Sequence, residues 1–451
     1  MKFLRLLCLL PALVILLATC KEAGAPTDAN GNPTGNVTTT LAGIVVDESG
    51  QPVSGVAVIT NGKNTVTDKY GTFMIQNASV PGNRCFIICK KNGYFTGSRA
   101  EVPKGGGITE LRLTLQSSAP GYTVNSSTGG TLSIGTASVK FPPSAFVTSD
   151  GKPFTGAVYI AAKHLGPSQP SFYNSFSGDM TARRTDGTQT ELLSYGVLRV
   201  RLTDEIGAEL NLASGKTATL TYPITPSQQK TAPASMPLWY FDEALGMWKE
   251  EGVAVKSGDS YSGEVAHFTD WNLDVPAKTA KINGRVLCYN EGVMGIYVTV
   301  GERKVVTDSS GYFTCRVAVN TDFTISINPQ ENFGLFAAEV QVAALNANEE
   351  HDVIMQLTNC PAYITGVLRD CNDKPIAGTI AISFSGNYVT HFSSGEFKIC
   401  VPAGVDFLVG ATSYNGLLTQ MQSVEKLNSG VKKILVSSLH AGMATAPDIL
   451  I

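Results

Sequence analysis

One pattern returns three times along the chain, and it limits the possible folds more than any other feature. It reads "LAGIVVDESGQPVSGVAVITNGKNTVTDKYGTFMI" from Leu41 to Ile75 and "INGRVLCYNEGVMGIYVTVGERKVVTDSSGYFTC" from Ile282 to Cys315. The third copy is "ITGVLRDCNDKPIAGTIAISFSGNYVTHFSSGEFKIC", from Ile364 to Cys400. Each copy opens with a Gly in an alternating strand and crosses a polar turn to a second Gly (Gly55, Gly295, Gly378). Another alternating strand follows, and each copy closes on Gly-x-Phe: Gly71-Phe73, Gly311-Phe313 and Gly395-Phe397. The second and closing glycines are 16, 16 and 17 residues apart. Period-two alternation punctuated by Gly, Asn and Asp predicts antiparallel strands. Thr67-Asp68 and Thr307-Asp308 suit Asx-type turns with Gly supplying positive φ; the third copy carries Thr390-His391 instead. A pattern repeated at this spacing predicts an all-β chain, a tandem array of β-sandwich modules.

Composition narrows the function. The chain has 451 residues, 16% of them charged, with 45 Gly and 22 Pro, a turn-rich globular make-up. Thirty-four Lys and Arg face 37 acids, so there is no basic stripe for phosphates, and nucleic acid is not an expected partner. At the N-terminus, Lys2 and Arg5 precede an apolar run from Leu6 to Thr19, shorter than the ~20 residues a membrane span needs. It ends in Leu17-Ala18-Thr19-Cys20, which resembles the lipobox of bacterial lipoproteins, with Thr19 where Gly, Ala or Ser is usual. The resemblance implies a signal peptide of residues 1–19, cleavage before Cys20 and lipid on its thiol; a plain secretory signal cut elsewhere is the alternative. Several acyl chains on one Cys would anchor the chain stably, since two suffice. Lys21-Glu22 loosely resembles the surface-export signal of Bacteroidetes lipoproteins, and the small polar residues 20–39 read as a flexible tether. No later apolar run reaches 18 residues, so the remainder is expected to be soluble and outside the cytoplasm.

The three copies resemble the carboxypeptidase regulatory-like domain, a transthyretin-like β-sandwich. The first is the most specific, with Gly-Gln-Pro-Val-x-Gly-Val and Thr-Asp-x-x-Gly-x-Phe together. The resemblance implies modules at 40–117, 277–358 and 359–451 that accompany other domains without catalysing anything. Residues 118–276 differ. Alternating strands there surround "MPLWYFDEALGMWKEEG" and "YSGEVAHFTDWNLDVP", and all three Trp residues (Trp239, Trp248, Trp271) lie in the block. Trp239 and Trp248 flank "DEALG", as in a hairpin with aromatics packed across strands. Gly-Gly-x-Leu and Phe-Pro-Pro-x-Ala-Phe resemble the ankyrin-type β-sandwich. The Leu-Trp-Tyr-Phe-Asp-Glu and His-Phe-Thr-x-Trp-Asn runs are similar to the ectodomain segment of cartilage intermediate layer protein and its bacterial counterparts. That resemblance implies an extracellular structural or interaction role.

Nine cysteines are present. Cys8 leaves with the signal and Cys20 takes lipid, leaving seven where disulfides are permitted. Aligning the copies by their glycines puts Cys288 and Cys371 one residue apart, and likewise Cys315 and Cys400. Two homologous disulfides are therefore expected, Cys288–Cys315 and Cys371–Cys400, each worth on the order of 3 kcal/mol. Cys85 and Cys89, ~13 Å apart along a strand, are too distant to bond and read as buried thiols. Cys360 is left over, able to compete for Cys371 or Cys400. With no Cys-x-x-Cys and five scattered His residues, no metal and no cofactor are expected.

No Gly-x-Ser-x-Gly, His-Glu-x-x-His, P-loop or dinucleotide fingerprint occurs. Asp242-Glu243 and Glu250-Glu251 read as solvated turn acids, because adjacent strand residues face opposite sides and a glycosidase dyad needs convergence. One stretch, "GEVAHFTDWN" from Gly263 to Asn272, combines His, a hydroxyl and an acid. It resembles self-cleaving relatives of the ankyrin-type sandwich, in which Thr269 would attack the Phe268 carbonyl with His267 assisting. The favoured reading makes it the module's last strand, with His267, Thr269 and Trp271 on one face and Phe268 on the other. The expected function is that of a non-catalytic, lipid-anchored outer-membrane protein at the cell surface, a structural or adhesive scaffold for protein or glycan partners. The alternative is an accessory binding subunit of a polysaccharide or peptide uptake system. That alternative would use Trp239, Trp248 and Trp271 as an exposed glycan platform.

Overall fold

The structure is a computed structural model describing residues 35–441 apart from 168, 170, 171, 227, 231, 302, 309, 329–331, 333–336, 371, 373, 385, 386, 394, 402, 414–421, 429–431 and 435–438. The described chain is all-β, a tandem series of β-sandwich modules, each around its own apolar core.

The first module packs a three-stranded sheet on a four-stranded one. Its opening strand, Asn36–Val46, sits in the middle of the smaller sheet. It pairs antiparallel with Thr72–Pro81 and parallel with the closing strand, Ile108–Thr114. The third module repeats this plan: opening strand Thr279–Cys288 pairs antiparallel with Tyr312–Ala318 and parallel with closing strand Glu350–Gln356. In the fourth, Ala362–Asp370 pairs antiparallel with Glu396–Val401 and parallel with Lys432–Ile434 and Leu439–Ala441.

The repeated residues now have physical meanings. The opening-strand glycine and the closing phenylalanine are cross-strand partners: Gly43 with Phe73, Gly284 with Phe313, Gly366 with Phe397. Each ring lies over its glycine so closely that a Cβ there would collide with ring atoms. The aromatic covers backbone that a glycine otherwise leaves bare. The Thr of the Thr-Asp pair ties two segments together. Thr67 Oγ1 donates to Val53 O (2.7 Å) and accepts from Val56 N (2.9 Å); Thr307 Oγ1 does the same with Val293 O (2.6 Å) and Ile296 N (2.9 Å). The following Asp closes the turn: Asp68 Oδ1 accepts from Tyr70 N and Thr72 N, and Asp308 Oδ1 from Ser310 N and Tyr312 N.

The middle module builds its layers differently. One continuous eleven-stranded sheet folds over on itself, with a small Phe146–Thr148 and Leu210–Leu212 pair beside it. Its two edges approach through an isolated bridge between Asn125 and Gly129. The Trp239/Trp248 hairpin is formed, Ser235–Asp242 against Met247–Ser257, with Phe241 opposite Trp248. The entry strand, Tyr122–Asn125, runs antiparallel to the exit strand, Asp270–Ala277; Ala157–Leu165 and Gln189–Thr203 lie between them.

Candidate functional site

The stretch with most chemical potential, His267 to Asp270, is not a strand. The exit strand begins at Asp270, and residues 266–269 bend between it and Ser260–Val265. The expectation of one alternating strand is therefore corrected. The bend has a visible cause: Trp271 Nε1 donates to His267 O (2.9 Å), drawing the loop back, while Phe268 packs on Phe141 with ring centroids 5.5 Å apart.

The three groups that self-cleavage would need point to different partners. The half-exposed His267 ring stands edge-on to Tyr240 at 5.0 Å, with Nε2 3.4 Å from Glu251 Oε1. Thr269 Oγ1 donates to Asp270 O (3.2 Å). The Asp270 carboxylate turns inward, 2.9 Å from Arg199 Nη2 and 2.5 Å from Ser177 Oγ. The nearby acids are likewise dispersed: Glu250 pairs with Arg184 (3.1 Å), Asp242 with Lys249 (3.7 Å) and Glu243 with Lys90 (3.6 Å). Among the described residues, no group of three or more His, Cys, Asp and Glu is placed to hold a metal ion.

Trp239, Trp248 and Trp271 do not form the exposed platform that the uptake alternative would need; they are buried, at 0%, 0% and 1% exposure, as the scaffold reading expects. Their indole N–H groups are satisfied inside: Trp239 on Asp274 O (3.0 Å), Trp248 on Ser177 O and Asp179 O (both 3.1 Å). Below them runs a buried polar network that sequence patterning did not identify. Arg199, 1% exposed, donates through Nη2 to Ser175 O (2.7 Å) and Ser177 Oγ (2.8 Å) besides its ion pair with Asp270. Ser194 Oγ donates to Asn272 Oδ1 (2.9 Å), and Asn272 donates to Asp274. Tyr222 Oη donates to Trp271 O (3.0 Å), and burial raises the Tyr222 phenol well above its ordinary value. The signal was present: Arg199 interrupts "GVLRVRLT", where a strand otherwise reads as core.

Charged and aromatic side chains also meet where modules dock. Arg84 of the first module holds Asp179 of the middle one through Nε at 2.8 Å. Burial pushes the Asp179 carboxyl up, but the Arg84 charge and hydrogen bonds outweigh it, and the net shift is downward. Phe86 packs on Phe241 (6.1 Å) beside Trp248. Arg99 lies over the Tyr173 ring at 3.9 Å, and burial raises that phenol to about 12. Lys163 meets Glu48 at 2.6 Å. From the third module, Arg303 reaches Glu191 (2.9 Å), with Arg316 also nearby (3.8 Å). The first and third modules touch directly, Arg112 over the Tyr297 ring at 5.3 Å.

The cysteines pair otherwise than expected. The bond is Cys288–Cys360, with Cα atoms 5.6 Å apart, and Cys315 is a buried free thiol. Register explains the correction. Cys315 lies opposite Ile282, six residues before Cys288, or ~20 Å along the strand. Equivalence between repeats says nothing about which ends of strands adjoin. Cys400 is also a buried free thiol; Cys371 lies outside the described residues, as does Cys20. Cys85 and Cys89 are buried thiols, each raised to about 12 mainly by burial.

No family model matches the chain. It is similar to cartilage intermediate layer protein 1 of Mus musculus, 29% identical over 116 residues, 26% of this chain and 10% of the relative. Cartilage intermediate layer protein 2 of Mus musculus is 23% identical over 235 residues, 48% of this chain and 19% of the relative. The chain thus spans a fifth or less of the curated relatives it matches. Among solved structures, BcpA, the major pilin subunit of Bacillus cereus, aligns over 90% of this chain and 100% of its own. Its identity is 11% and its TM-score 0.15. The shaft pilin SpaA from Lactobacillus rhamnosus GG aligns over 35% and 96%, at 10% identity and a TM-score of 0.17. At these TM-scores the superpositions do not inform function.

Proposed function

We propose that this chain is a non-catalytic scaffold that displays β-sandwich modules at a cell surface for protein or glycan partners. The observation carrying the reading is the docking of the modules on one another through specific pairs, Arg84–Asp179 and Arg303–Glu191. Docked modules present loops and sheet edges in fixed relation, which suits recognition by edge strands and loops. Exposed apolar side chains include Ile206 in a turn, and Val253 and Val255 on the outer face of the Met247–Ser257 strand. The similarity to cartilage intermediate layer proteins supports an extracellular setting. The anchor in this reading is lipid on Cys20, after removal of residues 1–19, in the outer membrane of a Bacteroidetes-like bacterium.

Two measurements test it. Protease added to intact cells should degrade the protein, and Cys20→Ser should release it into the medium; full protection, or unchanged membrane retention of the variant, refutes the anchored surface placement. A glycan and matrix-protein array should return a saturable partner whose binding falls on Val253→Asp; turnover of any array component refutes the non-catalytic assignment.

A further inference from the structure

Beyond display, we infer that the repeat modules are built to carry tension along the chain. The inference rests on strand order. In the first module the opening strand and the closing strand are adjacent and parallel, paired from Thr40–Ile108 to Val46–Thr114. The chain enters at one end of this ladder and leaves at the other. Pulling the module's ends apart therefore slides the two strands past each other, and the seven paired residues resist together. The third module has the same arrangement, seven pairs from Lys281–Glu350 to Leu287–Gln356. The fourth has it from Tyr363–Lys432 to Asp370–Ala441.

The middle module lacks it. Its entry strand is a four-residue edge strand, antiparallel to its exit strand with two strands between. Tension there peels the edge strand off Ala157–Leu165 one pair at a time. The docking contacts, Arg84–Asp179, Phe86–Phe241, Arg99–Tyr173 and Lys163–Glu48 on the first module and Arg112–Tyr297 and Arg303–Glu191 on the third, must part before that load arrives.

The disulfide strengthens the third module at the point where a clamp would fail. Cys288 is the last residue of the opening strand, and Cys360 lies just beyond the closing strand. Load entering at Thr279 runs along the opening strand, crosses the sulfur bridge and leaves at Cys360. The 72-residue separation between the cysteines never bears tension. At ~3.5 Å per extended residue, this hides about 250 Å of chain.

Single-molecule force spectroscopy on the full chain, held by handles at both ends, tests this. The middle module should open first. The first module should hold to a force at least about twofold higher, because its ladder bonds share the load. Adding reductant should lengthen the fully extended chain by about 250 Å, released in one late, high-force step. Cys288→Ser should release the same length without reductant, so the two arms check each other if the variant folds poorly. Rupture of the first module before the middle one, or at equal force, overturns the inference. So does a reductant-dependent length released among the early, low-force steps.

Discussion

Replacing Gly284 by alanine sets two effects against each other, and their magnitudes decide the sign. In an ordinary strand the change stabilises by about 0.5–1 kcal/mol, because glycine loses more freedom on folding. Here the new Cβ would fall among three atoms of the Phe313 ring. The ring is 3% exposed and packed within the third module's core, so it cannot swing outward. Overpacking of this kind costs about 1–3 kcal/mol. The net expectation is destabilisation by about 1–2 kcal/mol, or roughly 5–30-fold, since each 1.4 kcal/mol is a factor of ten. Native-state hydrogen exchange of peptides covering 282–288 and 312–318 would read that factor directly. Phe313→Ala supplies the control. Without the ring, the added methyl finds space, and the same glycine substitution should become neutral or stabilising, a coupling of neighbours. An unchanged or slower exchange in Gly284→Ala alone, or an equal cost in both backgrounds, would refute the claim that the ring excludes a side chain.

Other predictions follow from the middle module and its junction. Arg199→Ala leaves the partly buried Asp270 carboxylate without its buried cation and should cost about 3 kcal/mol, read as a lower melting temperature by Trp fluorescence; Arg199→Met with Asp270→Asn should recover much of it. The folded Asp179 carboxyl lies below its unfolded value, so its contribution is present above the unfolded pKa, about 3.9, and is lost as pH falls through the lower folded value. Trp248 emission should report that acid transition, and Asp179→Asn should remove it. Cys85 and Cys89, raised to about 12, should resist alkylation at pH 8 in native protein and react in denaturant, as counted by mass spectrometry. Purified protein should run as one band on a denaturing gel, identical to Thr269→Ala; two fragments abolished by the substitution would restore the Phe268–Thr269 cleavage reading.

The repeat modules were legible because their signals are local. Alternation, the Thr-Asp turn and the Gly and Phe pair each act within a strand or across one pairing, and each repeats. What stayed hidden depended on register or on distance. Cys288 and Cys315 looked equivalent to Cys371 and Cys400, yet the opening strand places Cys315 beside Ile282 and leaves Cys288 facing the chain's exit. The alternation of "VAHFTDWN" imitated a strand, although the Trp271 indole bends it at His267. Buried Arg199 and the docking residues Arg84, Glu191 and Arg303 are single charges whose partners lie tens to more than a hundred residues away. No window of sequence connects them.

The contact between Arg112 and Tyr297 bears on the order in which the molecule assembles. It joins residues 185 positions apart, with the whole middle module in the loop between. Closing a flexible loop of that length costs about 4–5 kcal/mol, more than the ~0.5–2 kcal/mol that one half-buried cation–aromatic pair returns. Once the middle module is folded, that loop is no longer flexible, and most of the cost has already been met. The first and third modules are therefore expected to associate last, after the segment between them has its structure, which matches the direction in which the chain leaves the ribosome.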